Sequence, residues 1–324
     1  MSTNRISTLL AFLLVLQHAT TCFGFTIPSF TRQETNGLHD IRQNYGKTRA
    51  GSVAKSSAQS SALYASSEPS SETSPSSSLS SEASLLKSRL FEEIDRVKEL
   101  QEIEGDFSVD FGVKGGELNS TSRAPQKLDF YSISENVGKA ADKVFETVNL
   151  LAESSPTPNV TEYWGDKARG SENKLNGQWN LLFSTAADAT FSKNSTRGDA
   201  KAMNVVTASR QKIINVIQFL PGPEEKKERL VSSLRVRLKA TAEGLNRINL
   251  TFKYVMVKFN RLFFLPLKWT LILPVPGTFI TRILFFMRKS LPKAYFDVLY
   301  LDEELRIHKT GEDNLFIQKK EASM

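Results

Sequence analysis

The spacing of apolar residues changes once along the chain. Up to about residue 151 they recur every three or four positions. Over 84–100, Leu86, Leu90, Ile94, Val97 and Leu100 keep helical spacing, with acids and bases mixed between them, which predicts an amphipathic helix. A second stripe, Ile133, Val137, Ala140, Val144, Val148 and Leu151, predicts another. Ser132 with Glu135 fits a capping box at its start, and Pro156 and Pro158 end it.

From Trp179 onward the period is two. Trp179, Leu181 and Phe183 share a face in QWNLLFST. In SLRVRLKA, Leu234, Val236, Leu238 and Ala240 face one way, and Arg235, Arg237 and Lys239 the other. Ile248, Leu250, Phe252, Tyr254 and Met256 alternate with Asn249, Thr251 and Lys253. Such runs predict half-buried antiparallel strands, and Glu243-Gly244-Leu245-Asn246 between the last two predicts a hairpin. Further strands are expected at 213–219, 295–301 and 315–319. Helices do not alternate with strands after Trp179. The expected class is α+β, with N-terminal helices followed by a closed or nearly closed antiparallel barrel.

One stretch, 262–287, reads LFFLPLKWTLILPVPGTFITRILFFM. Lys268 or Arg282 near a bilayer centre would each cost about 2.5–3.5 kcal/mol, against about 0.3–0.6 returned by each Leu, Ile or Phe. The uncharged run from Trp269 to Thr281 is 13 residues, short of the roughly 20 that a spanning helix needs. Pro266, Pro274 and Pro276 weaken a helix further, so this is no transmembrane helix. Read in pieces, 262–265 and 269–273 are short strands and 283–287 is a strand or an amphipathic helix. Their side chains pack a core, line a lipid pocket, or face a lipid surface, with Lys268, Arg282, Arg288, Lys289 and Lys293 attracting anionic headgroups.

Composition alters the picture at the front. Residues 1–24 carry Arg5, an apolar run Leu9–Leu16 and small residues before a cut after Gly24, the layout of a signal peptide. Residues 25–84 are basic, acid-poor and then serine-rich, expected to be a disordered transit peptide and linker. Together they resemble the bipartite plastid presequences of algae. The other reading is a secreted protein with a glycosylated stalk, to which four Asn-x-Ser/Thr sequons at Asn119, Asn159, Asn194 and Asn249 give some support. The only cysteine is Cys22, so the mature chain has no disulfide to offer. Residues 85–131 are expected to form a helix and polar loop, and 132–320 the main domain. The net charge of +7 comes with no nucleic-acid motif.

Little here points to catalysis. His308 is the one histidine outside the presequence, and it is expected to be an exposed or partly buried strand residue. Without cysteine and with one histidine, a zinc or haem site is not expected, nor is any cofactor. Gly112-Val-Lys-Gly-Gly116 fits neither a P-loop nor a dinucleotide fingerprint and reads as a loop. The acidic Asp302-Glu303-Glu304 reads as a solvated turn, since consecutive side chains point apart. No enzyme is expected.

Three segments carry a family signal. SSPTPNVTE at 154–162 is similar to "NPTPNPTE", LNGQWNLLFST at 175–185 to "L-x-G-x-W-x-L-L-Y-T-S", and YLDEELRIH at 300–308 with NLFI at 314–317 to "YLDEDLRISRG…GNLFVL". In this order they resemble the plastid lipid-associated protein, or fibrillin, family over roughly 132–320. His308-Lys309 replaces "SRG", and SLPKAYFD at 290–297 replaces the usual lead-in. The resemblance implies a lipocalin-like barrel, plastid location at plastoglobules or thylakoids, and binding of quinones, carotenoids or fatty acids. It leaves room for a scaffold presenting a lipid to a prenyl-pathway enzyme. Candidate lipid-binding residues are Trp179, Leu181, Phe183, Phe252, Tyr254, Phe263, Phe264 and Trp269, with Asp302 and Arg306 from the closing motif. Candidates for peripheral docking on a membrane or lipid droplet are Lys268, Phe279, Arg282, Phe285 and Phe286.

Overall fold

The structure is a computed structural model that describes residues 76–107, 126–190, 199–221, 230–261, 268–274 and 294–322. The presequence calls before residue 76, Gly112–Gly116 and most of the apolar stretch 262–287 lie outside those residues.

Helix α1 spans Ser76–Glu104 and α2 spans Glu135–Glu153. The predicted stripes hold: Leu90, Ile94, Val97 and Leu100 of α1 are buried with Val137, Ala140, Val144, Val148 and Leu151 of α2. Helix α1 opens at Ser76, inside the segment expected to be disordered to residue 84. The cap of α2 is Ser134, whose hydroxyl accepts from the Val137 amide at 3.1 Å. Ser132 instead closes a single 3₁₀ turn and donates to the Asp129 carbonyl at 2.6 Å. The capping-box expectation was two residues too early.

Among the described residues nine strands follow: β1 Gly177–Ser184, β2 Ala200–Thr207, β3 Lys212–Phe219, β4 Val231–Glu243, β5 Arg247–Phe259, β6 Trp269–Pro274, β7 Ala294–Leu301, β8 Leu305–Thr310 and β9 Leu315–Lys320. They pair antiparallel in the order β4-β3-β2-β1-β9-β8-β7-β5-β6, and the β4–β5 pairing closes eight of them into a barrel. The long β4–β5 hairpin turns at Gly244, whose φ of +69° suits glycine. One flank of β5 is shared: Arg247–Leu250 pair with β7, and Tyr254–Phe259 with β6.

Two β-bulges correct the expected faces. The β1–β9 register shifts between Leu181 and Phe183, so Leu181 stays inside while Phe183 points out to the helices. There it stacks on Phe130 at 5.3 Å and meets Phe145 edge-on at 6.2 Å. On β5, Tyr254 pairs with Arg237 but Phe252 with Leu238, which leaves Lys253 as the extra residue. Ile248, Leu250 and Phe252 face inward as expected. Beyond the bulge the interior is taken over by Val255 and Val257, and Tyr254 and Met256 turn outward.

The two helices cover the outer face of β1 and β7–β9, where Tyr300, Leu305, Ile307, Leu315 and Ile317 meet them. One barrel end is plugged by 154–176. The Val160 amide donates to the Leu245 carbonyl at 3.0 Å, Trp164 Nε1 to the Ala240 carbonyl at 3.1 Å, and Thr157 Oγ1 to the Leu301 carbonyl at 2.6 Å. Gly170 is required by contact: a Cβ there would lie 2.5 Å from Ser209 Cα. The three motif segments therefore converge on this closed end.

Candidate functional site

Strand β8, LRIHKT, is apolar on its outer side and polar on its inner one. Leu305 and Ile307 belong to the helix-facing cluster, whereas Arg306, His308 and Thr310 line the barrel interior. Inside, Arg306 Nε donates to Gln318 Oε1 at 2.8 Å, and Nη2 to Asn204 Oδ1 at 2.6 Å and also to Gln318. Gln318 Nε2 donates to Asn204 Oδ1 at 2.7 Å, and Asn204 Nδ2 to Asn215 Oδ1 at 2.8 Å. Every acceptor in this network is a neutral amide.

Arg306 is 1% exposed, and its Nη1 has no partner among the described residues. Burial pushes its pKa down to about 9, which still leaves it a cation at neutral pH. His308 is buried, contrary to expectation. Its ring is stacked 5.1 Å from Phe316 and lies 4.8 Å from Phe296. Burial, and then the charge of Arg306, hold His308 well below the usual histidine range, so it is neutral, and its Nδ1 also lacks a partner among the described residues. The indole of Trp179 lies 5.1 Å from the Arg306 guanidinium carbon and 5.2 Å from Lys320 Nζ. Burial lowers the Lys320 pKa as well.

These side chains surround about 30 Å³ of free space, room for about two waters. A second space, about 700 Å³, lies where β1 leaves β2 after the Asn180–Met203 pair and turns toward β9. Its walls include Gln101, Phe107, Phe130, Leu182 and Phe183. Leu181, Ala202 and Met203 line both spaces, so the cleft and the interior space are neighbours with these residues as the wall between them. Its size lies within the roughly 300–1,000 Å³ of small-molecule sites.

At the end opposite the plug, the inward Phe219, Phe252 and Phe259 are only partly buried. Trp269 stacks on Phe259 at 4.3 Å and donates to the Arg261 carbonyl at 3.1 Å, and Lys268 beside it is exposed.

The sequence candidates thus separate. Trp179, Leu181, Phe252 and Arg306 face the interior, and Trp269 lies at the rim against Phe259. Phe183 and Tyr254 lie outside, Tyr254 accepting from Arg237 Nη1 at 2.8 Å. Asp302 is also outside, in the β7–β8 turn, and it is not simply solvated. It takes Lys87 of α1 at 2.8 Å, the Tyr300 hydroxyl at 2.8 Å, and the amides of Glu304 and Leu305 at 2.8 and 2.7 Å. Phe263, Phe264, Phe279, Arg282, Phe285 and Phe286 lie outside the described residues. Sequence reasoning missed Asn204, Asn215 and Gln318 and dismissed His308. The one available signal was the polar side of β8, which reads as solvent-facing unless helices are known to cover the other side.

Among the described residues no cluster of His, Cys, Asp or Glu is placed to hold a metal ion, and no helix is long and apolar enough to cross a membrane. Comparison with curated proteins and with solved structures returned no match. The family model PAP_fibrillin matches residues 135–319, more than half of the chain, running from the start of α2 to the last strand. This chain belongs to the PAP_fibrillin family, the plastid lipid-associated proteins.

Proposed function

We propose that this protein holds one hydrophobic small molecule, an isoprenoid quinone, a carotenoid or a fatty acid, without enzymatic turnover. It works as a peripheral protein at plastoglobule or thylakoid lipid, delivered to the plastid by residues 1–24 and 25–84. The observation that carries the reading is the pair of adjacent spaces that share Leu181, Ala202 and Met203 as a wall: an outer cleft large enough for a tail, beside an inner polar space. A tail burying about ten methylenes would gain about 8 kcal/mol, micromolar binding before the cost of ordering it. The described piece of the apolar stretch, Trp269–Pro274, pairs with β5, Trp269 opposite Phe259. Phe279, Phe285 and Phe286, with Lys268 and Arg282, are the proposed lipid-surface contacts.

The test is displacement of a neutral fluorescent dye, Nile red, from the full-length protein by a plastid lipid extract. Saturable displacement with one site per chain supports the reading. Dye fluorescence that no lipid can displace contradicts it.

A further inference from the structure

We propose that Arg306 and His308 form an anion-recognising end of the lipid site, so that the ligand carries a carboxylate at the head of its hydrophobic chain. The inference rests on the lipid-binding reading and names the ligand class of that same site.

Four observations carry it. First, Arg306 is buried with its charge unanswered: no acidic side chain lines the cavity among the described residues, and its bonds go to the amide oxygens of Asn204 and Gln318. A buried cation is ordinarily paired, because removal from water costs far more than neutral acceptors return. Second, Nη1 of Arg306 and Nδ1 of His308 are both unpartnered among the described residues and belong to residues lining one cavity. A carboxylate oxygen can accept from Nη1, and from Nδ1–H of neutral His308 in the corresponding tautomer.

Third, the space beside them matches a planar carboxylate, about two waters in size, rather than a bulkier phosphate. One unpaired charge also suits a monoanion better than a dianion. Fourth, this polar end lies next to the cleft, with only the side chains of Leu181 and Ala202, which line both spaces, between them at the parting of β1 and β2. A head at Arg306 therefore leaves its tail a way out between β1 and β2. The amides already bonded to Arg306 hold the guanidinium in place before the ligand arrives, so little ordering remains to be done on binding.

The test varies the head group at constant tail in Nile red displacement from the full-length protein at pH 7.5, comparing hexadecanoic acid, hexadecanol, methyl hexadecanoate and the short acid hexanoate. The acid should bind at least about tenfold more tightly than the alcohol or ester, the worth of one hydrogen bond to a charged group. Hexanoate should bind at least about 100-fold more weakly than hexadecanoate, having lost ten methylenes. Arg306→Gln should bring the acid to the affinity of the alcohol and leave the alcohol within about threefold of its original value. If that variant does not fold, the head-group series on the unaltered protein decides the matter.

Acid, alcohol and ester all displacing the dye equally would overturn the carboxylate assignment and leave lipid binding standing. Hexanoate binding as tightly as hexadecanoate would make this a small-anion site and overturn it too. Displacement by none of the four while a plastid lipid extract still displaces the dye would overturn this inference and leave lipid binding standing, and displacement by neither would remove both.

Discussion

Arg306 and Trp179 face each other across the closed half of the barrel, the guanidinium carbon 5.1 Å from the indole centre, with no acidic partner for the charge among the described residues. An arginine kept for stability would lose about 3–5 kcal/mol on removal, the usual cost of breaking a buried pair. Here no acidic partner among the described residues is left to strand. Arg306→Met replaces a desolvated charge by an apolar chain of similar length and leaves only the Gln318 oxygen short of donors. Urea unfolding should therefore move by no more than about 1–2 kcal/mol in either direction.

The amide network behaves in the opposite way. Asn204 Oδ1 accepts from both Arg306 and Gln318, and its Nδ2 donates to Asn215. Asn204→Ala leaves three buried polar groups without that partner, and the loss should be about 3 kcal/mol. In a double-mutant cycle with Gln318→Ala the two losses should not add, because they remove members of one network.

Asp302 ties α1 to the barrel. Burial alone would raise its carboxyl. The Lys87 ammonium, the Leu305 and Glu304 amides and the Tyr300 hydroxyl outweigh burial and hold the pKa below the ordinary aspartate range. Since the folded pKa is the lower one, Asp302 contributes its stability in full above the unfolded value, about pH 4. That contribution fades as pH falls through the depressed folded value. Asp302→Asn should cost about 2–4 kcal/mol at pH 7, and the gap from the parent protein should narrow in unfolding curves below about pH 4.

The proposed route between cleft and interior can be blocked without touching the polar end. Ala202 is nearly buried, faces inward on β2 and lines both spaces. Ala202→Phe should fill the passage at an overpacking cost of about 1–3 kcal/mol. The expected result is a folded protein by circular dichroism whose affinity for hexadecanoic acid falls at least about tenfold.

Much of this fold is legible from residue spacing alone. The stripes of α1 and α2 have one wet face each, so their period survives in the sequence. The β4 face of Leu234, Val236, Leu238 and Ala240 does the same because its other side carries the half-buried Arg235 and Arg237 and the exposed Lys239. What resists reading are the places where one extra residue enters a strand. Leu182 and Lys253 look like any other strand residues, yet each shifts the register and sends Phe183 or Tyr254 to the other side. Strand β8 misleads for a different reason. Helices cover its apolar side, so the polar alternates Arg306 and His308 are the interior residues, and a rule that puts polar residues in water inverts them. Strand β2, with Ala200, Ala202, Asn204 and Val206 inside, was missed because small and polar residues fill the inward positions beside the cleft.

The most direct test of the lipid-carrier account is to purify the full-length protein after exposure to plastid lipids, extract it with organic solvent, and quantify the extract by mass spectrometry beside a control protein of similar charge. The account predicts one enriched hydrophobic species at close to one molecule per chain, carrying a carboxyl group. An extract no richer than the control after such exposure would mean that the barrel and its cleft hold no ligand, and the account would be wrong.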